Sequence, residues 1–454
     1  MNPTIRLTLA AATCVVALGG CTESARPQAT GKSNIRGVNA LSDTPALNFL
    51  IEERTLDTID FRGSTGFIAF DDLSYNFNFD YLPPLPADAV RLGTQFIDVE
   101  ADIAYTIALT GTFANPTTIF WEDAIRQWDG SETVFEAVFV HLGPGVEELD
   151  IYFASAGTVP VLGQAVGTLA FGERLALAEY EELNDGYELI LTRDGDPSGV
   201  VFHSITIQPV AQTRLTFGIF DDEPAVPGNV SVSSIGQSGG SARLADVNFP
   251  SQARVFHAAF GTANFDGYLD EDFSAIVYPD VGFLDLSAYA DVATGQVPLT
   301  VTQVGNAGAV IHEGDLSIVG ASRNSVVLVG EPGELGFLVL PDTGRPVVTY
   351  PQLRILSTAF NFELLDIYVT DPGTPLDDVL APRFAGVSPL VTSNYVSAQE
   401  GMRELTITER GDKTPIGTPL MIDLANGDIL DVAIVDTADP NVVELLPWSF
   451  QPAP

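Results

Sequence analysis

Cysteine, basic residues and long apolar runs are all scarce in this 454-residue chain, and each shortage excludes a class of protein. Two cysteines cannot build a disulfide scaffold or a cysteine zinc cluster. Twenty Lys and Arg against 60 Asp and Glu leave a net charge of −40. That balance argues against nucleic acid as a partner, because phosphate recognition needs clustered bases. Only four histidines are present, and no stretch reaches the 18 or more apolar residues, roughly, of a membrane helix. What the chain does have is a 46% hydrophobic fraction, too rich for a disordered acidic polymer, so folded cores are expected. At roughly 100–150 residues per domain, the length predicts about three or four domains.

Residues 1–20, MNPTIRLTLAAATCVVALGG, carry one base, Arg6, then an apolar run from Leu7 to Leu18. This is the pattern of a signal peptide. The following Leu18-Gly19-Gly20-Cys21 resembles the bacterial lipobox, in which cleavage precedes a cysteine that is then lipidated. The resemblance implies Cys21 as the lipidation site, and Thr22 rather than Asp after it implies the outer membrane. Cys14 falls within the removed peptide. Residues 21–33 are polar, with Pro27 and Gly31, and are expected to form a flexible tether. Without residues 1–20 the chain keeps 60 acids against 19 bases, a charge of −41.

Beyond the tether the sequence repeats. An opening strand recurs as IRGVNAL from Ile35, AVFVHLG from Ala137, ARVFHAA from Ala253 and LRILSTA from Leu353. Nine residues after Asn39, His141, His257 and Ser357 come Asn48, Asp150, Asp266 and Asp366, in LNFLI, LDIYF, FDGYL and LDIYV. In the last three copies Tyr180, Tyr289 and Tyr395 are each followed six residues later by Gly186, Gly295 and Gly401. Gly195, Gly305 and Gly411 follow in turn, and Pro116, Pro224, Pro332 and Pro440 mark a closing turn in all four. Four units are expected, at 34–130, 131–250, 251–347 and 348–454.

Apolar residues alternate with polar ones along these segments, as at Tyr105, Ile107 and Leu109, or at Leu405 and Ile407. That period of two predicts strands with one face in a core and the other wet. Short strands, frequent turn residues and no sustained helical stripe predict an all-β chain of tandem immunoglobulin-like antiparallel β-sandwiches. The phrase Arg254-Val255-Phe256-His257-Ala258, followed by Asp266 and Tyr268, resembles the bacterial family DUF4397 of unknown function. Asp150 with Tyr152 and Asp366 with Tyr368 carry its second element. The resemblance spans most of residues 34–449 and implies extracytoplasmic β-domains, often on lipoproteins, with no assigned chemistry.

The candidate sites are modest. Arg36, Arg254 and Arg354 recur on the opening strand, which suggests a cross-strand pair with the repeated Asp. Copy two, however, keeps Asp150 beside Val138, and copy one sets Arg36 against Asn48, so these positions read as fold maintenance. The histidines His141, His203, His257 and His312 allow at most two ligands per copy and are expected to line or cap strands, with a metal-binding His pair within copies two and three as the alternative. Asn264, Asp266, Asp270 and Asp272, and also Asp194 with Asp196, are candidates for Ca²⁺, with solvated turn carboxylates as the other reading. Gly236-Gln237-Ser238-Gly239-Gly240 matches a nucleophile elbow formally, but it lacks the strand–turn–helix setting and reads as a linker. Trp121 and Trp128, with Phe120, Ala124 and Ile125, are expected to make a short amphipathic turn at an interdomain joint. Trp448 is expected to close the last sandwich.

No constellation of nucleophile, base and orienting group is legible. The expectation is a non-enzymatic, membrane-anchored envelope lipoprotein presenting β-domains to a protein or glycan ligand. The alternative is an assembly scaffold binding one specific protein, and a hydrolase is the third class. No cofactor is expected other than Ca²⁺.

Overall fold

In the computed structural model, residues 28–83, 88–221, 230–343, 345–377 and 379–451 are described. They contain 33 β-strands and no helix. The first domain holds β1 (Lys32–Asn39), β2 (Leu47–Ile51), β3 (Arg54–Ile59), β4 (Ile68–Asp71), β5 (Ser74–Tyr81), β6 (Val90–Asp98), β7 (Ile103–Thr112) and β8 (Asn115–Ala124). They form two facing sheets, ordered β4-β1-β7-β8 and β3-β2-β5-β6. The other domains repeat both orders strand for strand. They run from Val134 to Arg243 (with one additional strand, Ser241–Arg243), from Ser251 to Pro341 and from Gln352 to Gln451. In every copy the first strand pairs parallel to the seventh, while the other neighbours are antiparallel.

Alternation puts one set of side chains into each sandwich. Ile35, Phe49, Phe77, Tyr105, Ile107 and Leu109 fill the first core, and Leu353, Ile355, Leu405 and Ile407 belong to the fourth. The opposite faces of the sheets that hold the first and seventh strands, expected to be wet, are not. Thr106, Ala108 and Thr110 are buried beside Tyr105, and all eight residues of Val134–His141 are buried. The cause is a second layer of packing, in which domains associate in pairs through these outer faces.

Val38, Ala108 and Trp121 of the first domain meet Val140, Phe220 and Ile235 of the second in one apolar cluster. Phe256, Val327 and Leu340 of the third meet Leu356, Ala433 and Trp448 of the fourth in another. Strand register makes Val38, Val140, Phe256 and Leu356 equivalent, and likewise Ala108, Val327 and Ala433. Each pair therefore buries the same surface twice, in the manner of an isologous dimer.

Two expectations about tryptophan change accordingly. Trp121 lies on strand β8, not on an amphipathic turn, and is buried between domains. Trp448 does not close its own sandwich; it stacks on Phe256 of the neighbouring domain with ring centroids 4.9 Å apart. A strand, rather than a helical turn, suits both because only alternate residues need face the partner domain.

The end of a domain where its first strand begins is its base, and the other end is its tip. Thr110 Oγ1 donates to the carbonyl of Leu142, tip to tip, so paired domains point the same way. The two pairs are stacked. At the tip of the first domain, Arg345 Nη1 donates to the carbonyls of Ser42 (3.2 Å) and Thr44, and Val348 N–H donates to Asp43 O (2.9 Å). Residues 345–350 form the connector at the base of the third and fourth domains, and Tyr350 packs against the first domain's core. The expected tether is also partly fixed at its end. Thr30 and Gly31 donate to the carboxylate of Asp72, Lys32 pairs with Asp71 at 2.8 Å, and β1 begins at Lys32. The expected signal peptide, Cys14, Cys21 and Pro224 lie outside the described residues.

Candidate functional site

The recurrent arginines lie on the outer face of the first strand, so they enter the interface between domains. Arg354 Nε donates to Asp431 Oδ1 at 2.6 Å, its Nη2 to Asp342 Oδ1 at 3.0 Å and its Nη1 to the carbonyl of Pro341 at 2.7 Å. Arg254 donates to Ser325 Oγ and Ser449 Oγ, both at 2.9 Å, and lies 3.3 Å from Asp342 Oδ2. Tyr289 Oη donates to the same Asp342 oxygen at 2.7 Å. Two guanidinium groups and two carboxylates thus neutralise one another. Burial opposes the Arg354 charge, but Asp431, Tyr395 and Asp342 outweigh it and hold its pKa above the ordinary value. Burial raises the hydroxyls of Tyr289 and Tyr395 well above their usual range.

The first pair solves the same position differently. Arg36 donates to Thr106 Oγ1 at 2.9 Å and, across the interface, to Thr216 Oγ1 at 2.5 Å. With hydroxyl acceptors in place of carboxylates, burial pushes its pKa down to about 10, offset only in part by Asp123. Charge neutralisation moves instead to Glu136, which binds Arg214 at 2.6 Å and Arg126 at 3.2 Å. Trp128 lies under the Arg126 guanidinium at 4.1 Å.

The repeated aspartates serve the other sheet, and the suggested Arg–Asp pair does not form. Asp366 accepts the N–H groups of Gly386 (2.8 Å) and Gly411 (3.0 Å). Asp266 accepts those of Asp280 (2.9 Å) and Gly305 (2.7 Å), and Asp150 accepts Thr168 Oγ1 (2.6 Å) and Gly195 N–H (2.9 Å). Each carboxylate ties the second strand to the turn between the fifth and sixth strands. That turn needs glycine, as Gly195, Gly305 and Gly411 all have φ near +70 to +80° (68°, 73° and 81°). Asn48 takes the place of the aspartates in the first copy and accepts from Thr58 Oγ1.

Tyr152, Tyr268 and Tyr368 follow the aspartates on the same face and are buried, Tyr368 accepting from Lys413 Nζ at 3.1 Å. Gly295 and Gly401 each precede by seven residues the threonine opposite the Asp, whereas Gly186 precedes Thr192 by six. The Tyr–Gly pair of copy two keeps its spacing of six but sits at a different register on the strands. Tyr180 packs on Phe135 and Phe153 in its own core, while Tyr289 and Tyr395 cover interface arginines.

The calcium candidates do not converge. Asp266 stands near the start of the strand Phe265–Leu269 and Asp270 just past its end, roughly 13 Å away at the usual rise. Asp266 is already used at the tip end, beside Asn264, which donates to Asp280. Asp272, at the base, accepts Ser274 N–H and Oγ, which hold its pKa below the usual carboxylate range. Asp196 caps Ser198 in the same way. His141 and His257 lie in the first strand, buried at the tip end, whereas His203 and His312 lie in the opposite sheet. Among the described residues no group of three or more His, Cys, Asp or Glu could hold a metal ion. Gly236–Gly240 is a hairpin turn, not a loose linker: Phe67 N–H donates to Gln237 O at 3.1 Å, plugging it into the first domain.

A different feature stands out at the tip of the second pair. A cleft of about 470 Å³ opens between the third and fourth domains, lined by Phe260, Gly261, Glu331, Phe360, Asn361 and Asp436 among others. Phe260 and Phe360 are 40% and 36% exposed. Asp436 is fixed by accepting Phe360 N–H (2.8 Å) and Asn361 Nδ2 (3.0 Å). Sequence reasoning passed over these residues, although both phenylalanines lie three places after His257 and Ser357. Asp342, Asp431 and Arg345 were missed because nothing local marks them.

The profile of a domain of unknown function, DUF4397, matches residues 33–152 and 251–368, together 238 of 454 residues. No curated protein matches the chain. The two matched stretches start at equivalent first strands and stop at equivalent tyrosines, Tyr152 and Tyr368, so each covers one whole domain and the opening of its partner. The chain belongs to the DUF4397 family.

Proposed function

We propose that this protein is a non-enzymatic envelope lipoprotein, held at the outer membrane by a lipid on Cys21, that presents its β-domains to a protein or glycan. The observation that carries the proposal is the stacking of the two pairs. The first strand begins at the base of the first pair, whose first-domain tip holds the Arg345 connector, and the tip of the second pair lies at the far end from Lys32. A strongly acidic surface keeps such exposed β-domains soluble and discourages edge-to-edge pairing.

Cell fractionation of Cys21→Ala tests the anchor: release from membranes is expected, and retention would refute it. In-cell crosslinking, with a glycan array probed by the soluble 22–454 fragment, tests the binding role. Retention of a defined partner supports it, whereas turnover on an ester, glycoside and peptide panel would replace it with catalysis. The Arg345 joint also favours a second reading, in which the array is a stiff scaffold for one specific protein; a single stoichiometric crosslinked partner distinguishes it.

A further inference from the structure

We propose that the cleft at the tip of the second pair is a docking site for an extended, positively charged peptide segment of a partner protein. The inference rests on the binding role proposed above and names its site and chemistry. One wall of this cleft has an occupied counterpart within the same chain. Counting from the equivalent Asn39, His257 and Ser357, residues Ser42 and Asp43 correspond to Phe260 and Gly261 and to Phe360 and Asn361. In the first domain those residues hold the connector between the third and fourth domains. The Arg345 guanidinium binds the carbonyls of Ser42 and Thr44 and lies 5.2 Å from the Phe61 ring centre, Val347 is buried, and Val348 N–H reaches Asp43 O. Among the described residues, the corresponding loops of the second pair carry no such segment, and between them lies the 470 Å³ cleft.

Two features adapt that cleft for a separate chain. Phe260 and Phe360 replace Ser42 with aromatic walls, on which an aliphatic side chain packs and over which a cation is favourable. The four segments forming the tip, 258–264, 330–334, 358–364 and 436–441, contain Glu331, Glu334, Glu363, Asp436 and Asp439, with no Lys or Arg. The complement is a segment with Arg or Lys next to an apolar residue, the chemistry of Arg345 to Val348. Charge of one sign around a cleft also speeds encounter with the opposite sign.

The test uses the chain from residue 22 onward and fluorescent peptides of sequence GRPVVTYP, taken from the connector, and GEPVVTYP. Fluorescence anisotropy is expected to show binding of the first peptide, at least tenfold weaker binding of the second, and at least tenfold weakening by Phe260→Ala/Phe360→Ala. The same double variant should retain the parent's thermal unfolding profile. Glu331→Lys, on an exposed turn, should weaken binding comparably without touching either phenylalanine.

Equal affinity in the parent and both variants would place binding elsewhere and overturn the proposal. So would peptide affinity indifferent to the Arg-to-Glu exchange. A glycan retained by the parent and lost in the double variant would overturn the peptide chemistry while leaving the binding role intact. Concentration-dependent self-association abolished by the double variant would make the occupant a second copy, and would also overturn it.

Discussion

Replacing Trp448 with Ala tests whether the domain pair, rather than the single sandwich, is the folding unit. Trp448 is 7% exposed, stacks on Phe256 and has the guanidinium carbons of Arg254 and Arg354 at 5.7 and 5.9 Å. Its Nε1 has no hydrogen-bond partner among the described residues, so the loss is one of packing and cation–π attraction. A buried tryptophan removes about 150–250 Å² from water, which at about 25 cal/mol/Å² amounts to about 4–6 kcal/mol. Large-to-small core substitutions of this type cost about 3–5 kcal/mol, so about 4 kcal/mol is expected. For a cooperative unit of about 200 residues that lowers Tm by roughly 8–16 °C. The decisive assay is hydrogen exchange by mass spectrometry on the full chain. Protection should fall in 251–257, which contains the fully buried Phe256, although Trp448 lies nearly 200 residues away in sequence. Loss of protection confined to 352–451, or a Tm change below about 2 °C, would refute the pair as a unit.

Asp366→Ala should cost about 2–4 kcal/mol, because two N–H bonds to a carboxylate are lost and Gly386 and Gly411 are left unpaired; urea denaturation checks it, and a change below about 0.5 kcal/mol would sink the tie. Burial pushes His141 and His257 below their ordinary value of 6.5, so both are neutral in the folded state. Their stabilisation is complete above pH 6.5 and declines as pH falls toward the depressed folded values, because only the unfolded chain then takes up protons. His141→Asn/His257→Asn, which places at both positions the residue that Asn39 supplies in the first copy, should flatten the Tm-against-pH curve between about 6.5 and 5, and an unchanged slope would contradict this. Arg345→Ala should loosen the joint between the pairs: limited proteolysis at residues 343–350 should accelerate, while the hydrogen-exchange protection of each core stays within error.

Much of the fold was legible because it is local. Alternation at Tyr105, Ile107 and Leu109 marks a strand facing a core, and the nine-residue gap from Asn39, His141, His257 and Ser357 marks one topology repeated four times. What alternation cannot report is what covers the other face. Thr106 and Thr110 look like solvent positions, yet the second domain buries them, since a hydroxyl can satisfy itself across an interface as Thr110 does with Leu142. The same ambiguity hid the roles of the arginines. Their recurrence was visible, but the acceptor Asp431 comes from another strand and Asp342 from the segment after Glu334–Pro341, and the aspartates nearest in the repeat are committed to glycine turns on the opposite sheet. The tip cleft was illegible for a related reason, since each of its walls is an ordinary loop until two domains stand side by side.

The pairing also explains why one sandwich topology carries two alternating sets of residues. Five residues beyond Thr106, Thr216, Ser325 and Asp431 stand Gly111, Asp221, Gly330 and Asp436. The glycines of the odd domains adopt φ of +96° and +108°, and at Gly330 a Cβ would lie 2.3 Å from the carbonyl of Glu334. The aspartates of the even domains instead reach back to their own loops, Asp221 to Gly145 N–H and Asp436 to Phe360 N–H. Two domains related by pairing alone would have no reason to differ at the same place twice in the same order. The alternation makes the pair the unit that is repeated, with a period of 218 residues between the matched starts at 33 and 251. Within that unit the first strands of both members, Val38 with Val140 and Phe256 with Leu356, are the interface. A stretch running from one first strand into the next domain is therefore the shortest sequence that contains both halves of it.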